Sequence, residues 1–131
     1  MSLGESSTQL GKVRGLGSAG EGGEHWIRER LTSIALLLLG TWLIASLLFL
    51  PALDRGTLVE WLRTPLGAVP MALFVIVSFI HGVDGLKVAV DDYVHEEGER
   101  FAVNALILFV AIGGAALALF ALGRIAFGGA A

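Results

Sequence analysis

The sequence contains no cysteine among its 131 residues. That absence excludes a disulfide, a thiolate zinc site, an iron–sulfur cluster and a covalently attached c-type haem, so any redox centre must be held by histidine or shared with another protein. Charge is scarce as well. Only 16% of the residues are Asp, Glu, Lys or Arg, and the nine Lys and Arg are scattered along the chain. With a formal net charge of -3, this pattern excludes a nucleic-acid-binding surface. The first 24 residues are rich in Gly and Ser and carry Lys12 and Arg14, but they lack an apolar core followed by a cleavage-like site. No removable secretory signal is expected there. No internal repeat is visible, which withholds support from an inverted-repeat transporter.

What is abundant is hydrocarbon. Hydrophobic residues make up 55% of the chain and the mean hydropathy is +0.77, too apolar for a soluble domain of this size. Three apolar segments, Thr32 to Leu50, Leu66 to Val90 and Phe101 to Phe127, are each long enough at about 1.5 Å per residue to cross a hydrocarbon core about 30 Å thick. The expected fold is therefore all-α: an integral membrane protein with three transmembrane helices at 32–50, 66–90 and 101–127. Residues 1–24 are expected to be a flexible cytoplasmic segment and residues 25–131 the three-helix membrane domain. Pro51, followed by Asp54, Arg55 and Gly56, ends the first span. Residues 56–65 form a short connection with an interfacial stretch around Trp61. Pro65 suits the first turn of the second helix, and Pro70 lies early enough in it to bend it slightly.

Basic residues set the expected orientation. Lys12, Arg14, Arg28, Arg30, Lys87 and Arg100 fall on one side and Arg55, Arg63 and Arg124 on the other, six against three. Basic loops are retained in the cytoplasm, which puts the amino terminus inside and the carboxyl terminus outside. The third span is rich in small residues, Gly113, Gly114, Ala115, Ala116 and Ala118, which let helix backbones approach closely within the chain or against another subunit.

The second span carries the chain's most informative polar residue, His81. On a helix turning about 100° per residue, His81, Gly85, Val88 and Asp92 fall on one stripe, with Asp92 displaced by about 20° around the axis and about 16 Å along it. Gly82 and Gly85 clear side chains from the backbone beside the ring, so a flat ligand such as a porphyrin can approach with His81 as axial ligand. The other ring nitrogen would then bond a carbonyl, a carboxylate or water. Residue chemistry leaves a second reading open, in which His81 is a hydrogen-bonding tie between helices. His25 and His95 lie at interfacial depth, so a second axial ligand is expected from a partner.

Asp92 and Tyr93 end the second span at the cytoplasmic boundary. Tyrosine is favoured there simply as a belt residue, with an apolar ring and a wet hydroxyl. The alternative is a phenol donating a hydrogen bond to a quinone carbonyl beside a carboxylate that orients it or relays protons. Asp84 and Lys87, three apart, read as a local ion pair. Arg28 and Arg30 stand at the start of the first helix, where basic residues fix topology or meet lipid phosphate. Arg30, near Thr32 and Ser33, is the better candidate for gripping an anionic group entering the bundle.

Two stretches, GSAGEGGEHWIRERLTSIALLLLGTW leading into the first span and HGVDGLKVAVDDYVHEEGER closing the second, resemble the small membrane-anchor subunits of succinate dehydrogenase in their bacterial and mitochondrial form. The resemblance covers most of residues 14 to 127. It rests on the histidine, a glycine one turn on and the Asp-Tyr pair at fixed spacing. It implies an inner-membrane, multi-pass subunit that joins a second three-helix membrane anchor in holding a flavoprotein subunit and an iron–sulfur subunit. It further implies that His81 is one axial ligand of haem b, the other coming from that second anchor. Tyr93 would hydrogen-bond ubiquinone with Asp92 close by, and Arg30 would lie near the haem propionates and the quinone pocket. Where many relatives place a histidine six residues before the arginine, this chain has Glu24 with His25 beside it, and contact of His25 with haem is not implied. The chain supplies no nucleophile and no complete active site, so catalysis would belong to the assembled complex. Two competing readings are a haem-free structural anchor and a haem-binding subunit of another quinone-linked complex, such as a fumarate reductase or a small b-type cytochrome.

Overall fold

The computed structural model describes residues 19–128, with side chains from residue 23 onward. Four helices follow one another: α1 (Ala19–Phe49), α2 (Arg55–Arg63), α3 (Pro65–Tyr93) and α4 (Glu97–Ala126). No strand occurs among the described residues. Residues 23–49, 65–93 and 97–126 are each long and apolar enough to cross a membrane, matching the three expected spans. A helix is what a lone chain segment must form in hydrocarbon, because only there are its backbone N–H and C=O groups satisfied within the segment itself.

Element ends follow local chemistry. Helix α1 stops at Phe49, two residues before Pro51, whose ring and missing N–H cannot continue it. Its described part begins at Ala19, so residues 19–24, assigned by the sequence to the flexible segment, are helical. Residues 1–18 of that segment lie outside the described residues. The connection around Trp61 is the nine-residue helix α2. Asp54 caps it, its carboxylate accepting from the Thr57 amide at 3.1 Å and the Thr57 hydroxyl at 2.9 Å. Those two bonds, the amide's first, hold the Asp54 carboxyl below its ordinary range.

Thr64 both ends α2 and starts α3. Its hydroxyl donates to the Trp61 carbonyl at 2.7 Å and accepts from the Gly67 amide at 3.1 Å, with Pro65 in the first turn of α3. Gly67 is required in this corner because a Cβ there would collide with the Trp61 carbonyl. Pro70 lies inside α3 near its start, and the helix runs on to Tyr93.

The described residues divide into two compact units, one ending at Leu31 and the other beginning at Thr32. In the first unit, the Arg30 guanidinium lies 5.3 Å from the centroid of the Trp26 ring, a cation–π contact. In the second, α3 and α4 are antiparallel neighbours joined by the turn at Val94–Glu96, with Arg100 reaching Asp91 across it at 3.9 Å. Of the paired glycines of the third span, Gly114 makes a close approach: a Cβ there would lie 2.9 Å from the Phe79 ring, whereas Gly113 faces open space. Trp42 of α1 stacks on Trp61 of α2, with centroids 5.5 Å apart.

The packed interior of this unit is small. Val90 and Leu122 are its buried apolar side chains, joined by Asp84 and by the backbone at Gly67. Most large apolar residues, among them Leu37, Leu48, Phe109 and Phe120, lie on the outside. In water that surface would be untenable; in a bilayer it is the face that meets acyl chains and partner helices.

Candidate functional site

The site is organised by α3. His81 sits a little beyond the middle of this helix and is half-buried. Its Nδ1 lies 3.0 Å from the hydroxyl oxygen of Thr32 on α1, a contact between residues 49 apart in sequence. The bond can form with either partner donating, depending on the tautomer. When the ring nitrogen donates, Nε2 carries a free lone pair, and the ring is held in one orientation by a second-layer hydroxyl. Sequence reasoning expected a carbonyl, carboxylate or water in this role and did not single out Thr32. The only signal for it was a hydroxyl residue at the start of an apolar span.

Gly85, one turn along from His81, has no heavy atom within 4 Å of where a Cβ would be; Gly82 is equally clear but is turned about 100° from His81, toward α4, so Gly85 alone opens the flank of the ring. The backbone beside the imidazole is thus open to a flat, apolar group. Among the described residues no three His, Asp or Glu side chains converge on one point, so His81 offers a single ligand and not part of a protein-built metal cage. One nitrogen donor on an apolar helix with a cleared flank is an arrangement that can ligate a flat, apolar group.

Asp92 and Tyr93 are the last two residues of α3, and both side chains are exposed, Tyr93 to 82%. Because α3 stays helical to its end, Asp92 shares the stripe of His81, while Tyr93 is turned about 120° away from His81. The carboxylate and the phenol therefore leave the helix on different sides. Arg30 belongs to the first unit, with the Trp26 ring as its described contact, and His25 lies on the same stretch of α1.

Asp84, which spacing suggests as a local partner of Lys87, is turned into the protein. It is only 3% exposed, the most deeply enclosed polar side chain described. Burial of a carboxylate within a span is costly unless the group is neutralised or bonded, and it takes part in interactions inside the protein. Asn104 of α4 has a buried side-chain oxygen that accepts no hydrogen bond.

Comparison with known proteins fits this arrangement. Residues 5–122 match the family of succinate dehydrogenase/fumarate reductase transmembrane subunits. The chain belongs to this family. Among its relatives, the succinate dehydrogenase hydrophobic membrane anchor subunit of Paracoccus denitrificans is 34% identical over 118 residues, covering 88% of this chain and 89% of that protein. The corresponding subunit of Rickettsia bellii is 31% identical over 102 residues, covering 78% and 79%. That of Rickettsia conorii is 32% identical over 103 residues, with the same coverage. The chain is thus a membrane-anchor subunit of succinate dehydrogenase. As an anchor subunit with three apolar helices it is a multi-pass membrane protein, consistent with the inner membrane. It works alongside other subunits of that complex and within a bilayer.

Proposed function

We propose that this anchor subunit supplies one axial ligand to haem b through His81 and one wall of the ubiquinone-reduction site through Tyr93 and Asp92. The observation that carries the reading is the Nδ1 contact to Thr32, which leaves Nε2 as the ligating nitrogen beside a glycine-cleared flank. When bound, the haem supplies a one-electron store next to the quinone site. The other membrane-anchor subunit of the complex would supply the further donor that the haem needs. Arg30 meets a haem propionate or the quinone pocket with a charge-assisted hydrogen bond.

The remaining steps belong to other chains: a flavoprotein subunit oxidises succinate, and an iron–sulfur subunit carries the electrons to the membrane. The excess of Lys and Arg on the amino-terminal side supports a cytoplasmic amino terminus and puts Asp92 and Tyr93 on the same face as those subunits. Tyr93 then donates its phenolic proton in a hydrogen bond to a quinone carbonyl, and the Asp92 carboxylate accepts and passes on protons from the aqueous side.

The test is His81→Ala in the purified complex. The b-type haem absorbance is expected to be lost while succinate oxidation with an artificial acceptor at the flavoprotein persists. An unchanged haem spectrum overturns the ligand assignment. The same Thr32–His81 contact also favours a second reading, a haem-free anchor in which the imidazole only ties α1 to α3. On that reading the native complex shows no b-type absorbance at all.

A further inference from the structure

The outer side of the α3–α4 seam forms an open apolar groove of about 350 Å³. Ser78, Gly82 and Leu86 line it from α3, and Ile107, Val110 and Ala111 from α4, with the Ser78 hydroxyl its one side-chain polar group. Gly82 widens its middle, since nothing lies within 4 Å of a Cβ placed there. Gly82, Leu86 and Tyr93 are spaced four and seven apart on one helix, so they share a face, and the Tyr93 phenol stands about 10 Å along the axis from Leu86. His81 is turned about 100° from Gly82 and faces the other seam.

We infer that this groove holds the isoprenoid tail of the quinone whose head meets Tyr93, an inference that rests on the quinone reading of Tyr93. The groove runs from the membrane interior toward the helix end that carries the phenol. A molecule with its carbonyl at Tyr93 and a long branched hydrocarbon tail lies along one face of α3, without crossing the helix. The lining matches that tail chemically, because it offers aliphatic side chains and a glycine gap and demands no hydrogen bond from the occupant. The α3–α4 seam therefore contributes affinity for the tail, and the helix end contributes orientation of the head.

The test uses the assembled complex carrying Gly82→Phe, or Ala111→Leu from the opposite wall, each filling the groove. Succinate-dependent reduction is measured with a long-tailed ubiquinone and with a tail-less analogue of the same head. The expected result is an apparent KM for the long-tailed quinone raised about tenfold by the loss of buried hydrocarbon contact, with the tail-less analogue changed less than about twofold. Gly113→Leu, on open surface outside the groove, leaves both values unchanged.

Equal shifts for both quinones, or none, overturn the inference. So does loss of assembly in both groove variants, which would assign the seam to a partner helix. Tyr93→Phe, run in parallel, separates the two claims. If it slows neither quinone while the groove variants still discriminate by tail length, the tail groove stands and the head contact fails. If it slows both quinones while the groove variants do nothing, the head contact stands and the groove fails.

Discussion

The two seams of α3 differ in how they are held. Toward α1 there is a polar tie, the His81 ring meeting the Thr32 hydroxyl at 3.0 Å, beside a looser apolar approach in which a Cβ on Gly40 would lie 4.0 Å from the Phe74 ring. Toward α4 the contact is apolar and close, with the Phe79 ring so near Gly114 that no side chain fits between them. A hydrogen bond in a membrane fixes rotation and register but contributes little net attraction, because its partners find alternatives in the separated state. A glycine–aromatic contact adds dispersion along the helix and tolerates no added volume. The polar tie sets the orientation of the His81 ring, and the tight glycine–aromatic contact holds α3 against α4.

That difference sets the order of expected effects. Gly114→Leu forces a branched side chain into the Phe79 ring and is expected to destabilise the α3–α4 pair by about 1–3 kcal/mol, the usual cost of overpacking. Thermal unfolding of the detergent-solubilised complex checks it, and Phe79→Ala in the same chain is expected to restore part of the loss. If Gly114→Leu is neutral, the seam has slack that the close approach of glycine and ring does not reveal. Next in size is Tyr93→Phe, which removes one hydrogen bond at the end of α3 and is expected to slow quinone reduction by about tenfold, with artificial-acceptor turnover unchanged. Equal loss in both assays would point to assembly and not to quinone contact. Smallest is Thr32→Val, which keeps shape and deletes the polar tie. Its expected cost in thermal stability is about 0.6 kcal/mol, the average for an interhelical hydrogen bond in a membrane. A penalty as large as that of Gly114→Leu would erase the contrast between the seams.

The sequence made the spans legible because hydrophobic length needs no tertiary information, and Pro51 and Pro65 mark ends that depend only on backbone chemistry. The stripe of His81, Gly85 and Asp92 was equally legible, since it follows from helical period alone. The amino-terminal start of α1 was not, because residues 19–31 are polar enough to escape a hydropathy reading while still forming helix. Thr32 as partner of His81 depends on how α1 and α3 align in antiparallel register, which no local pattern encodes.

Asp84 shows the same limit from another side. Spacing to Lys87 suggests a local pair, and the burial of the carboxylate comes from the rotation of α3 in the bundle, which spacing does not encode. The choice of Gly114 over Gly113 as the contact glycine is likewise set by the rotation of α4 and not by composition. Asp92 and Tyr93, adjacent in sequence and easily taken as one unit, leave α3 about 100° apart.

The proposed haem role depends on one imidazole using both nitrogens, Nδ1 toward Thr32 and Nε2 toward haem iron. The most direct measurement is the haem spectrum and electron paramagnetic resonance of the purified complex, native and with Thr32→Val. A low-spin b-type haem is expected in the native complex, with resonance positions that shift in Thr32→Val while haem content is retained. No haem in the native complex, or a signal identical in the two proteins, would contradict it.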